Sequence, residues 1–447
     1  MANTYLGVST SSSGTRTKWT TSFWVKRNNL SNENTIFGSY LDNDNKDKIS
    51  FNTDGTLQFA SFQAASYSNG GNLNTNRKFR DTNAWYHIVC RWDSSNATAN
   101  DRMKIWVNGV EETSFASRTN PTSGRESLIS YQGYTTIGRL GSNYLDGVLS
   151  HVHFCDNQLY QASDFGEYDA NGVWKIIVEP SVSYGTTGYF VLKNGNSLTD
   201  QSSNSNNLTL QGGTLTKTED SPSNVFPTIN PLTYSTTKWN LEYGNLRTNG
   251  LAAGEVASWR SVYGTLGASS GKYYFEMKVT RTDSNATANI GVGIVDAEQM
   301  KYAGDNDTFY SQGSRAYGYQ GSDGNKMNNN TSASYGATFL ANDIIGCAFD
   351  LDNHKIYWSK NGVWQNSGDP TSGATGTGSA FDLATGYTYL PAVTSYYDDD
   401  RIELNFGNGY FGISAISSAG TNASGIGIFE HDVPNGYTSL STKGLNL

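Results

Sequence analysis

Chemistry in a protein begins with carboxylates, imidazoles, thiols and aromatic faces, and few of these stand where a reaction needs them. Cleaving a glycosidic bond takes two carboxyl groups about 5–9 Å apart, which on a strand means acidic residues at alternating positions. No such run occurs. Glu276 and Glu403 stand singly among aliphatic neighbours, on phases expected to face solvent, and the adjacent Glu111 and Glu112 point to opposite faces of an extended backbone. Nucleophile-elbow, phosphate-loop and HExxH patterns are absent from the sequence. Oxygen ligands that suit Ca2+ gather in residues 41–48, where Asp42, Asp44 and Asp47 alternate with Asn43 and Asn45. That stretch lacks the EF-hand glycine and closing glutamate, and Lys46 and Lys48 offset its charge, so a solvated hairpin tip is the competing reading. The run Asp398, Asp399 and Asp400 reads as a solvated turn, and His151 with His153 lacks a third metal ligand nearby. For stacking chemistry, Trp24 and Trp106 sit on the phase opposite their strands' aliphatics, as candidate ligand-binding residues. Burial under covering loops or a neighbouring subunit is the alternative for each.

The elements that must position these residues are strands. Tyr, Phe and Trp number 28, 19 and 10, Gly numbers 48, and only 16% of residues are charged. Aromatic and β-branched residues suit a pleated, half-buried surface, and Gly, Asn, Asp and Ser supply its turns. Strict alternation runs through residues 19–27, with Trp19, Thr21, Phe23 and Val25 on one face. It returns at 85–92 and then at 272–280, where Tyr273, Phe275, Met277 and Val279 share a face opposite Lys272, Tyr274, Glu276 and Lys278, and residues 103–107 and 148–154 read as further short strands. The Gly-laced run 290–295 predicts a strand buried on both faces with another backbone close by. The net charge of −9 and the absence of a basic stripe argue against nucleic acid as a partner. No apolar run approaches the ~20 residues of a membrane-spanning helix. Cys90, Cys155 and Cys347 are odd in number and far apart, so buried free thiols and assembly in a reducing cytoplasm are expected.

Between residues 216 and 232 the alternation stops, and three of the eight prolines, Pro222, Pro227 and Pro231, fall there. We therefore expect an all-β chain of two tandem antiparallel, jelly-roll-like sandwiches over residues 1–215 and 241–447, joined by a proline-containing linker at 216–240. One pattern recurs in both halves: strand, polar turn, strand and an Asn-Gly turn, ending at Asn108-Gly109 and at Asn361-Gly362. The hexapeptide at 95–100 also recurs at 284–289, at a different place relative to its strands.

With the strands laid out, the second half resembles a SPRY domain over roughly residues 259–406. The resemblance rests on Gly271 through Glu276, Gly291-Val292-Gly293-Ile294, Asp343 through Asp350, Ile356 through Gly362 and Tyr389 through Val393. The first half resembles the laminin-G or concanavalin-A-like sandwiches at Trp85 through Val89, Trp92-Asp93, Lys104 through Gly109 and Leu145-Asp146-Gly147. Residues 5–6, 18–20 and 23–27, with the connector at 220–224 and 230–232, are similar to structural proteins of marine tailed phages.

These resemblances imply a non-enzymatic bacteriophage virion structural protein, an adhesin or tail-fibre-type appendage that binds host surface glycan or protein. A capsid decoration or head-appendage protein bound to virion neighbours is the alternative, and a glycan depolymerase the second. The expected partners are other virion proteins and a host receptor, with homo-oligomers in the particle and no membrane insertion. SPRY-like domains recognise partners through variable loops, so no residue's role carries over.

Overall fold

The structure, a computed structural model, describes residues 3–446 except 9, 11, 194, 196, 234–238, 251–257, 282–288, 301–306, 312, 398 and 399. The second copy of the hexapeptide, and Asp398 with Asp399, thus fall largely or wholly outside the described residues. The chain is nearly all antiparallel β-sheet, divided into two compact units: Met1–Lys217 with Ser221–Ser223, and Thr218–Asp220 with Asn224–Leu447.

In the first unit an eight-stranded sheet runs in the order Phe115–Thr119, Gly71–Lys78, Thr56–Gln63, Asn45–Phe51, Asn34–Asp42, Thr135–Ile137, Tyr5–Val8 and Leu208–Gly212. A six-stranded sheet runs Tyr189–Val191, Gly147–Asp156, Lys18–Arg27, Trp85–Asp93, Met103–Val107 and Val110–Glu111. Trp19, Phe23, Val25, Ile88 and Trp92 from one sheet meet Phe37, Ile49, Phe59 and Leu73 from the other, all at most 1% exposed. Trp19 and Trp92 stack with ring centroids 6.4 Å apart. The alternation in residues 19–27 and 85–92 thus marks the inner face.

The second unit repeats the plan. Its larger sheet is centred on Lys272–Arg281, between Asp400–Asn405 and Ile344–Asp350, and its six-stranded sheet on Tyr389–Ser395 and Ile290–Asp296. Phe275, Met277, Val279, Ile345, Phe349, Ile402, Leu404 and Phe406 fill the space between them with Val292, Ile294 and Val393. The glycines of the 290–295 run keep room for the neighbouring strand: a Cβ on Gly293 would lie 1.9 Å from the Tyr317 carbonyl oxygen. Within the 216–240 stretch, Phe226 and Ile229 are each 1% exposed and the Asn230 N–H donates to Tyr263 O at 2.8 Å, so apolar burial seats residues 224–230 on the second unit.

Both Asn-Gly turns close alike. Asn108 and Gly109 have φ of 47° and 86°, and Asn361 and Gly362 have 49° and 80°, the positive values a tight two-residue hairpin needs. In each, the Asn side chain also works. Asn108 Oδ1 accepts the His87 N–H, and Asn361 Oδ1 accepts the Ile344 N–H, both at 2.8 Å. Each turn is thereby clasped to the end of the adjacent strand.

Outer sheet faces expected to meet water are covered. Tyr274 and Glu276 are 0% exposed, because Phe429, Val433 and Tyr437 from the C-terminal segment lie over them. Glu403 is 8% exposed, beside Arg247 at 3.6 Å. The sequence expectation that these glutamates face solvent is corrected: an added layer, not the core, takes that phase. In the first unit, Phe165 and Ala162 cover Val89, Trp106 and Cys155 in the same way.

Candidate functional site

Trp24 and Trp106 offer no free ring. Each is 5% exposed. Trp24 stacks on His87 at 4.9 Å, and Trp106 packs with Phe165 and Cys155 under the Arg91 guanidinium at 5.1 Å. The physical reason is the covering layer, which turns the outer phase of Lys18–Arg27 and Met103–Val107 into a second interior.

The three aspartates part company. Asp42 and Asp44 are exposed at the hairpin tip, and Asp42 Oδ1 accepts the Asp44 N–H and the Asn45 amide, each at 2.9 Å. Asp47 is 1% exposed and turned inward, with Oδ2 accepting from Ser127 Oγ at 2.7 Å and the Leu128 N–H at 2.6 Å. Burial raises the Asp47 carboxyl above the usual range despite those bonds. Only Asn45 and Lys46 lie between Asp44 at the exposed tip and Asp47, yet Asp47 already points into the interior. Among the described residues, no three His, Cys, Asp or Glu side chains converge as a metal site.

The carboxylates are engaged rather than poised. Glu111 pairs with Lys104 at 3.0 Å and Glu112 with Arg77 at 2.8 Å. Glu276 accepts four bonds: Oε1 from the His431 N–H at 2.8 Å and the Tyr274 hydroxyl at 3.1 Å, Oε2 from the Glu430 N–H at 2.9 Å and Asn405 at 3.2 Å. Burial still pushes its carboxyl up to about 7. That arrangement holds a segment in place and leaves no lone pair aimed at a substrate.

A different cluster is only partly buried. Ser395 ends its strand opposite both Arg260 and Ile290, so the segments leaving these strands emerge at one end of the sheet. There Trp259, Tyr396 and Tyr397 are half-buried, with centroids 5.3 Å apart for Trp259–Tyr396 and 5.1 Å for Tyr396–Tyr397, both edge-on. Backbone bonds seat the platform: Ser258 N–H to Tyr396 O and Tyr396 N–H to Asn289 O, each 3.0 Å. Edge-on rings with phenol and indole polar tips make a partly apolar, hydrogen-bonding surface. Sequence reasoning passed over this trio. Its signal was an aromatic residue just before one strand and two just after another, next to runs of Asp, Ser and Asn.

Comparison with known proteins matches residues 272–409 to the SPRY domain and residues 1–163 to the Concanavalin A-like lectin/glucanases superfamily. The chain carries a concanavalin A-like domain and a SPRY domain. The Ran-binding proteins 9/10 homolog of Drosophila melanogaster is 29% identical over 182 residues, 39% of this chain and 17% of that protein. Ran-binding protein 9 of Homo sapiens is 30% identical over 127 residues, 27% of this chain and 16% of its own length. The chain thus spans about a sixth of these curated relatives. Among solved structures, the SPRY domain of human HERC1 matches 39% of this chain and 96% of its own at 18% identity, with a TM-score of 0.29. The aromatic trio lies at the strand ends of the SPRY unit.

Proposed function

We propose that this chain is a non-enzymatic binding protein whose SPRY unit grips a macromolecular partner through Trp259, Tyr396 and Tyr397. The observation that carries the reading is that this aromatic platform is only partly buried at a strand end, while Glu276, in the other sheet of the unit, is spent on holding structure. Trp and Tyr supply large, stiff contact area at low entropic cost and dominate interface energies. The names of the SPRY-bearing relatives, Ran-binding proteins, favour a protein as the partner. For the setting we read a bacteriophage virion structural protein, an adhesin or tail-fibre-type appendage that contacts a host surface protein or glycan. The similarity of the opening strands and connector to phage structural proteins supports it.

The test is adsorption. Purified chain is expected to bind host cells and to compete with phage for them, and Trp259→Ala and Tyr396→Ala to weaken binding about tenfold or more without unfolding either unit. Binding that survives both substitutions removes the platform. A copy number per particle matching the capsid shell, with no competition at the cell, assigns the chain to decoration instead.

A further inference from the structure

The layer over the six-stranded sheet of the first unit is fastened unevenly. Residues 157–185 leave the strand Gly147–Asp156 and return to it, and both flanks are bonded to the main sheet. The Asn157 N–H donates to Lys18 O and the Asp156 N–H to Tyr184 O, each at 3.1 Å, and Thr20 Oγ1 donates to Gln158 O at 2.9 Å. Between them, Gly166–Tyr168 and Trp174–Ile176 form a two-stranded sheet of their own. Two side-chain hydrogen bonds tie this hairpin down: Trp174 Nε1–H to His87 Nδ1 at 3.0 Å, and the Tyr168 hydroxyl to Asn108 O at 3.2 Å. The Trp174 ring stacks on His87 at 5.8 Å, in a slot where a Cβ on Gly109 or Gly166 would come within 2.5 Å of it. His87 in turn stacks on Trp24.

This geometry sets the protonation state. An indole nitrogen only donates, so His87 Nδ1 must present its lone pair, and the ring proton sits on Nε2, donated to Ser22 Oγ at 2.8 Å. A second proton, taken from solvent onto Nδ1, would place two N–H donors face to face. We propose that the hairpin 166–176 is an acid-released strap, freed from the sheet when His87 gains a proton at Nδ1, so that Trp24, His87 and Trp106 become accessible.

The groups around His87 do not compensate an added charge. Ser22 and Trp24 face it from Lys18–Arg27, Trp174 from the hairpin, and Asn108 from the adjacent turn. The ionisable groups of the same layer are His153 and His151 on Gly147–Asp156, Tyr184 bonded to His153 at 2.9 Å, Lys26, Arg91 and Asp93, which the register places on the same sheet face, Glu111 opposite Trp106, and Glu167, Asp169 and Lys175 on the hairpin. Glu111 is paired with Lys104 at 3.0 Å and Asp169 with Lys175 at 3.6 Å, and the His87 ring nitrogens meet only Ser22 and Trp174, so no carboxylate receives the added proton's charge directly. Burial holds His87 down at about 3, against an ordinary value of 6.5, so opening is coupled to proton uptake between those limits. The open-to-closed ratio then rises up to roughly tenfold per pH unit of acidification.

Hydroxyl-radical footprinting of the full chain, read by mass spectrometry from about pH 7.5 to about pH 4.5, tests this. Oxidation of Trp24, Trp106 and Trp174 is expected to climb with acid by up to about tenfold per pH unit, while the core Trp19 and Trp92 stay protected. His87→Phe is expected to flatten the response. Trp174→Phe, which keeps the ring and loses the donor, is expected to raise Trp24 and Trp106 reactivity at neutral pH and make the acid dependence shallower. The proposal is overturned if the covered and core tryptophans become reactive together, or if either variant keeps the wild-type slope.

Discussion

At the scale of single residues, the buried ionisable groups carry the sharpest consequences. Glu276 is held by four donors yet remains fully buried, and the cost of keeping a carboxylate from water exceeds what those bonds return. Its carboxyl titrates near 7 in the fold, against 4.5 ordinarily, so the folded state binds the proton more tightly than the unfolded chain does. The stability this confers is fully present below about pH 4.5 and is lost as pH rises through about 7, a loss of roughly 3 kcal/mol. Glu276→Gln is expected to remove that pH dependence. It should also lower stability by about 2 kcal/mol at pH 5, because its amide must point N–H groups at the N–H of Glu430 or His431. Denaturant unfolding of both proteins across the window reads both effects. Trp24 and Trp106 teach the complementary lesson: an aromatic residue on the outer phase of a strand is a ligand candidate only if nothing folds back over it.

At the scale of elements, the recurring Asn-Gly turn is a structural device more than a mark of shared function. Its Asn needs positive φ and also supplies the side-chain oxygen that caps the neighbouring strand, at His87 in one unit and Ile344 in the other. Asn108→Ala and Asn361→Ala each forfeit that bond and place a Cβ-bearing residue without local compensation in the left-handed region. A loss of about 2 kcal/mol in each affected unit is expected by chemical denaturation. Asn→Gly, which relieves the backbone and loses only the bond, should cost about half as much. Strands that alternation revealed were those with a mostly apolar inner phase. Gly71–Lys78, with only Leu73 reaching the core, and Thr331–Ser334, exposed throughout, gave no such signal. Such strands are held by their neighbours' backbones, and backbone pairing leaves no trace in side-chain type.

At the scale of the whole molecule, two cores imply two unfolding events with unlike acid responses. In the first unit His87 and His151 are held down to about 3 and about 4 by burial, against 6.5 ordinarily. Their stabilising contribution is complete above pH 6.5 and is lost as pH falls toward those values, because the unfolded chain takes up protons first. Glu276 in the second unit works in the opposite sense over an overlapping range, as do the buried Asp47 and half-buried Asp146 within the first, where His153 adds to the two histidines that act against them. Calorimetry between about pH 7 and about pH 5 is expected to show two transitions, that of the first unit moving down and that of the second holding or moving up. A single transition, or two that fall in parallel, would contradict this.

What the sequence determined by itself was local: inner faces through period-two alternation, turns through Asn-Gly and Asp-Gly, and the wide spacing of three thiols along the chain. These need only neighbours in the chain. What tertiary structure alone decided was the fate of the outer faces and of the strand ends. Glu276 meets Glu430 across 154 positions and His87 meets Trp174 across 87, and no periodicity encodes such a meeting. Alternation distinguishes one side of a strand from the other, but a polar-looking side reads the same whether water or a distant segment of the same chain lies against it.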